Sequence, residues 1–330
     1  MTKRFLFALA ALGACLFAVP AHADLCITRG RRCSTPPGRP GGPRSPSGQP
    51  VAVKRLAPGE RIVVPVVYHM VFHSVASGRG SDDDVGAAPP LALTLRQTRV
   101  LNHAFRGTGI SFRTAETAYL DFAPWRDPAR PDGGPAQPSE ITAMVREVTA
   151  GRPESLHVFL LPQVESRAAN PDTKSIYAGD RDVDGIVMNW DYLPDVESLR
   201  PVKDAVIRKL YSQGETLVHL VGHYLGLVHT FEAWIGDGSI SLGEVCKPTC
   251  AQTSDGVSDT PAHRWIWNGN GRCIPLDTCP DQPGMDPITN YMNLEPDLCA
   301  SELTPGQIER IERMVRYYRP YLIVPAPGAP

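Results

Sequence analysis

The sequence predicts an α/β domain in which helices and strands alternate around a sheet. Three features predict it: a β-branched, aromatic-rich run over residues 62–72, an alternation of helix-periodic and strand-like segments over residues 94–190, and an apolar helix over residues 214–227.

Taken in order, residues 62–72 read as a first strand, with Pro65 tolerable only near a strand start or a sheet edge. Residues 94–105 place Leu95, Thr98, Leu101, Asn102 and Phe105 at helical spacing. Gly107 and Gly109 then stop the helix, and a strand begins at Ile110. Residues 139–149 read as a second helix, residues 156–161 as a buried strand and residues 185–190 as another short strand. Gly226 marks the end of the third helix, since glycine readily adopts the left-handed conformation that terminates helices. Beyond it the chain is turn-rich until residues 304–318, where Pro305 at an early position opens a last helix. Residues 324–330 read as a disordered tail.

Of the 330 residues, the first 60 stand apart from the predicted domain. Residues 1–23 carry Lys3 and Arg4, an apolar run and the Ala21-His22-Ala23 cleavage signature, the pattern of an export signal. That run is too short to span a bilayer, and no later stretch qualifies, so no membrane span is expected. The destination is then secreted or periplasmic; the alternative is lipoprotein anchoring through Cys15, on the Leu12-Gly13-Ala14-Cys15 motif. Residues 24–60 contain a stretch rich in Pro, Gly, Ser and Arg that cannot bury apolar area, and read as a propeptide or linker. The domain is expected over residues 61–323. A net charge of -2 provides no basic field for nucleic acid.

The chemistry is concentrated in His219-Leu-Val-Gly-His223-Tyr-Leu-Gly226-Leu-Val-His229. His219 and His223 are four apart and share one helix face, one turn apart. The chain turn at Gly226 swings His229 back toward them, giving three neutral nitrogen donors with room for a fourth ligand, a set that suits Zn2+. One histidine alone would more often be a hydrogen-bonded core or surface residue, but three at this spacing favour a metal.

This pattern resembles the metzincin signature. More narrowly, the chain looks like the pappalysin (cytophagalysin) family over roughly residues 61–318. The segments that carry the likeness are Thr216 through Phe231, Asp255-Gly-Val-Ser-Asp-Thr-Pro-Ala262, Asp286-Pro-Ile-Thr-Asn-Tyr-Met292 and Leu303-Thr-Pro-Gly-Gln-Ile-Glu-Arg310. The resemblance implies a metzincin-type zincin: a twisted sheet with helices in an upper subdomain, over an irregular, disulfide-held lower subdomain with a C-terminal helix. It also implies peptides or proteins as partners in the cleft, and Met292 as the methionine turn beneath the zinc.

The sequence departs from that family at two positions. A glutamate directly follows the first histidine in the family motif and serves as general base for the attacking water; here that position is Leu220. The resemblance also implies a tyrosine two residues after the turn methionine, stabilising the oxyanion; here that position is Leu294. The expectation is a zinc-binding pseudopeptidase. The rival reading is an active metalloendopeptidase with a relocated base, for which Glu215 is the candidate although it lies a helical turn before His219. A third reading, a purely structural envelope protein, requires zinc to be irrelevant. Asp255 and Asp259 lie in a loop that the resemblance suggests holds Ca2+, although aspartates in loops commonly form turns.

Seven cysteines remain after removal of Cys15, and an oxidising destination favours disulfides. By resemblance, Cys250 pairs with Cys279 and Cys273 with Cys299. For the rest, two arrangements are open: Cys33 as a latency thiolate on the zinc with a Cys26–Cys246 bridge, or a local Cys26–Cys33 disulfide with Cys246 free.

Overall fold

The computed structural model describes residues 51–72, 91–122, 138–161, 166–168, 183–196, 210–231, 233–234, 240–241, 250, 255–264 and 272–326. The export signal, Cys15, Cys26, Cys33, Cys246 and the last four residues lie outside these.

The main sheet has the order β2 (Ile110–Asp121), β1 (Glu60–Phe72), β3 (Leu156–Leu161), β5 (Ile186–Asn189), β4 (Arg167–Ala168). The first four strands run parallel, and β4 is antiparallel to β5. Two helices, α1 (Leu91–Ala104) and α2 (Pro138–Thr149), connect the parallel strands. Side chains alternate across a strand, so each strand feeds two cores. Ile62, Val64, Val66, Tyr68 and Met70 of β1 join Leu156, Val158 and Leu160 of β3 in the larger core, with Leu101 and Phe105 from the α1 region and the apolar residues of helix α3 (Glu215–Tyr224). Val71, Phe159 and Leu161 point the other way and pack on Ile141, Met144 and Val145 of α2. The structure is thus the mixed sheet-and-helix architecture that the alternation predicts.

The lower half is mostly turns, with a short hairpin of β6 (Ala233–Trp234) and β7 (Ile240–Ser241), and ends in helix α4 (Pro305–Tyr318). Disulfides Cys250–Cys279 and Cys273–Cys299 cross it. They restrict the unfolded chain where little apolar surface is available to hold the folded one. Helix α4 starts as its sequence prescribes: Thr304 and Gln307 form a reciprocal capping box, with Pro305 in the first turn.

Two boundaries differ from the sequence reading. Val324 and Pro325, assigned to a disordered tail, belong to strand β8 (Ile323–Pro325), which pairs antiparallel with Glu60–Ile62. Ile323 and Val324 are β-branched, but a run of two residues is too short to predict a strand; the stretch of β1 not paired with β3 supplies the partners. Arg55, assigned to a linker, bonds to Glu309 at 2.8 Å and Glu312 at 2.7 Å on α4. Pro65 is the third difference, for it lies within β1 rather than at its end. It falls between the residues paired with β8 and those paired with β3, so on that side its missing N–H leaves no ladder bond unmade.

On the α2 face, β1 and β3 bury a histidine pair. His157 directs Nε2 to the Arg152 carbonyl (3.2 Å) and its Nδ1 accepts from His69 Nε2 (2.9 Å). His69 is also stacked on Phe159, with ring centroids 4.5 Å apart. A carbonyl can only accept, so His157 carries a proton on Nε2, and in the neutral form that burial favours, its Nδ1 accepts from His69 Nε2. Desolvation, then the charges of His157 and Arg152, pull His69 down to about 4, against a small opposing pull from Glu116. Desolvation likewise lowers His157, partly offset by the Arg152 carbonyl, Asp184 and Glu154. Because the folded pKa is depressed, this stabilisation is complete above about pH 6.5 and is lost as pH falls toward 4. In chelator-treated protein, the urea midpoint is expected to fall over that window, and His69→Gln, whose amide still donates to His157, is expected to flatten the fall.

Candidate metal centre

Helix α3 begins after Gly214, whose φ of 98° is left-handed, and its last turn gives way to Gly226 with φ 102°. No side chain with a β-carbon enters that region easily. At Gly226 a β-carbon would also lie 2.6 Å from Met314 Cγ on α4. The chain therefore reverses at Gly226, its carbonyl held by Arg310 Nε at 2.8 Å, and brings His229 back beside the helix.

The result is a cluster of His219, His223 and His229 whose ligand atoms all lie within 4.8 Å of one another. His223 Nε2 is 3.0 Å from His219 Nε2 and 3.3 Å from His229 Nε2. The opposite ring nitrogens are engaged: His219 Nδ1 donates to the Tyr291 carbonyl at 2.8 Å, and His223 Nδ1 to the Leu227 carbonyl at 3.0 Å. A neutral ring protonated on Nδ1 carries only a lone pair on Nε2. The lone pairs of His219 and His223 therefore face one another at a distance where they repel unless a cation lies between them. Carbonyls that fix the tautomer, so that Nε2 carries the lone pair, are the usual outer support of metal-binding histidines. The donor set fits zinc.

The floor of the site comes from the segment around Met292, which is fully buried. A β-carbon at Gly222 would overlap the Met292 sulfur, so glycine is what lets the helix sit on the methionine. The Met292 carbonyl accepts from Thr230 N at 3.2 Å, tying the same segment to the residue after His229. Asn290 and Gln307 exchange two amide hydrogen bonds of 2.8 and 3.0 Å and anchor the turn to α4. His229 stacks on Phe231 at 4.9 Å.

Leu220 is fully buried within the larger core, and Leu294 is half-buried two residues past Met292. Glu215 is the first residue of α3. Burial raises its pKa, and its carboxyl acts electrostatically on Tyr291 and Asp297, below the start of the helix. Asp259 is a capping residue, accepting from Thr304 Oγ1 (2.7 Å) and Gly306 N (2.8 Å). Asp255 uses Oδ1 for Val257 N and Thr260 Oγ1, keeps Oδ2 buried without a hydrogen bond, and is pushed up to about 6 by burial.

The sequence assigned no role to Tyr291, Gln307 and Arg310, although they lie in the segments that carry the resemblance, and did not single out Asp297; Tyr291 contributes a backbone carbonyl, and the partners of the others lie far along the chain. No local spacing signals such contacts.

A sheet-and-helix half over a disulfide-held half, with three histidines gathered by a helix and the turn that follows it, defines a metzincin-type zincin. The chain belongs to the pappalysin family of zinc metallopeptidases. Residues 203–316 match the family described as pregnancy-associated plasma protein-A. An extracellular metalloprotease of Podospora anserina is 30% identical over 263 residues, 79% of this chain and 75% of that one. One from Colletotrichum graminicola is 28% identical over 267 residues, 80% of each. The fold is similar to that of Tannerella forsythia mature mirolysin in complex with a cleaved peptide, with a TM-score of 0.53, 18% identity, and 79% and 97% of the two chains covered. Among the described residues no helix is long and apolar enough to cross a membrane.

Gly222→Ala is expected to lower stability by about 1–3 kcal/mol through overpacking against Met292, despite alanine's better helix propensity. Gly226→Ala, which adds backbone strain to its clash with Met314, is expected to cost more. Thermal melts of both variants against wild type check the order.

Proposed function

We propose that this protein is an exported, zinc-binding pappalysin homologue that holds peptides or proteins in its cleft and has lost most or all of its capacity to hydrolyse them. His219, His223 and His229 would hold the zinc. When bound, zinc supplies a Lewis acid that polarises a carbonyl oxygen and acidifies water. The observation that carries the proposal is the combination of three converging imidazoles with an aliphatic, fully buried Leu220 next to the first of them.

Leu220 neither accepts nor returns a proton, and absence of a general base typically costs a hundred- to ten-thousand-fold in rate, roughly. Leu294 offers no hydrogen bond to a developing oxyanion, a loss of roughly a hundred- to a thousand-fold. Losses within one site do not simply multiply, so about four orders of magnitude is the expected total. Glu215 is a poor substitute base: its carboxyl acts on Tyr291 and Asp297, and it stands at the first residue of α3, one helical turn before His219 and more than two before His223.

The remaining parts of the reading follow from the sequence. Residues 1–23 are proposed to direct export, in keeping with relatives named extracellular metalloproteases, and residues 24–60 to form a propeptide or linker in which Cys33 is the candidate zinc thiolate. Should the loop after Asp255 take calcium, the Asp255 Oδ2 is the oxygen left to bind it, because Asp259 is committed to the α4 cap.

The test combines metal analysis with a casein-hydrolysis assay. Wild type is expected to carry one zinc per chain, with no chelator-sensitive cleavage, and His223→Ala to carry none. Leu220→Glu with Leu294→Tyr is expected to gain chelator-sensitive cleavage, at a cost in melting temperature because a carboxylate replaces a fully buried aliphatic side chain. Chelator-sensitive cleavage by wild type would overturn the loss of hydrolysis; absence of zinc from wild type would overturn the metal site.

A further inference from the structure

Asp297 is 4% exposed and carries a carboxyl group into the protein beneath the start of α3. Its Oδ2 accepts from Gln213 N (3.0 Å) and Gly214 N (3.1 Å), its Oδ1 from Thr216 Oγ1 (3.2 Å), and its own N–H donates to the Leu210 carbonyl (2.8 Å). The residue at the N-cap, Gly214, has no side chain to cap the helix. A residue some 80 positions downstream therefore does work that a serine or aspartate at the cap ordinarily does locally.

That arrangement is costly. Burial, followed by the carboxyl of Glu215, pushes Asp297 up to about 7 despite its three donors. A local cap would satisfy the helix without burying an acid beside a second one. What the remote carboxyl provides and a local cap does not is a tie to one particular piece of chain. Asp297 closes the segment that begins at Tyr291, whose carbonyl orients His219, and continues through Met292, on which Gly222 rests. The helix and this segment therefore run side by side, joined at the foot by Asp297, one turn up by His219, and a further turn up by Met292.

We propose that Asp297 is a positioning residue for the metal centre: by fixing the foot of α3 to the Tyr291–Met292 segment, it holds the His219 Nδ1–Tyr291 carbonyl bond in register and so aims His219 Nε2 at the point shared with His223 and His229. It acts through these groups and touches no metal ligand. The proposal rests on the zinc-binding reading above.

The experiment measures zinc affinity by competition with a chromophoric chelator at fixed pH, using the mature chain and its variants, alongside the melting temperature of each zinc-free protein. The variants are Asp297→Ala, Asp297→Asn, His223→Ala and, as a structural control whose side-chain bonds stay within α1 and β2, Asn102→Ala, which removes the two bonds from α1 to Phe112. Asp297→Ala is expected to weaken zinc binding by about ten- to a hundredfold, the range for lost outer support of a metal ligand. Asp297→Asn, which retains one acceptor oxygen, is expected to recover most of that affinity, remaining roughly three- to tenfold weaker than wild type. Asn102→Ala is expected to melt earlier while binding zinc as wild type does. Wild-type affinity in Asp297→Ala, or an equal loss in Asn102→Ala, would overturn the proposal. If Asp297→Ala does not fold, Asp297→Asn decides, with wild-type affinity overturning the proposal. Failure of wild type to bind zinc while matching His223→Ala would instead defeat the underlying zinc reading, a separate outcome.

Discussion

The constraint on which the site depends is the contact between helix α3 and the segment from Asn290 to Asp297. An imidazole has two nitrogens, and it can present one to a metal in a fixed direction only if the other is held. For His219 the holder is the Tyr291 carbonyl, and for His223 it is the Leu227 carbonyl just past the helix end. Neither bond is local to a regular helix. Both exist because Gly222 lets Met292 press against the helix and because Gly226 lets the chain fold back over it. The lower half of the molecule, poor in regular structure, is therefore what orients ligands borne by the upper half.

That dependence explains the effort spent on anchoring the lower half. Asn290 and Gln307 bind each other through both amide groups, Arg310 holds the Gly226 carbonyl, and Asp259 caps the same helix. From the other end, Arg319 is almost wholly buried, its guanidinium 3.7 Å from the Tyr224 ring centroid and paired with Asp184 beside β5. Helix α4 and the residues after it thus join the turn under the metal site, the end of α3 and the sheet. Two disulfides restrict the loops between them. In a half with so little apolar core, hydrogen bonds to buried partners and covalent links take over the role that packing plays in the sheet.

The two leucines give this scaffold its functional meaning. Leu220 belongs to the same apolar cluster as Leu217, Val221 and the β1 and β3 side chains. At that position the helix contributes to the core rather than to proton transfer. The histidine triad is thus held in register by remote contacts, beside a residue with no acid–base chemistry of its own.

How far the sequence alone reached follows from the range of each interaction. β-Branched and continuous apolar runs located β1, β3 and β5, and helical spacing located α1 and α2, since such patterns are written in neighbouring residues. The four-residue spacing of His219 and His223, with Gly226 and His229 after them, determined which donors meet, because one helix turn and one glycine reversal are local geometry. Leu220 stood out only against the family resemblance, which implies a glutamate at that position. The tertiary structure alone decided that residues 323–325 add a strand to β1, that Pro65 sits where no neighbouring strand needs its N–H, and that Asp259 caps a helix 45 residues away. It also decided the tautomers of His219 and His223, because each depends on a carbonyl supplied by a chain reversal. Contacts made across a fold by backbone atoms or single polar side chains leave no periodic trace in the chain that makes them.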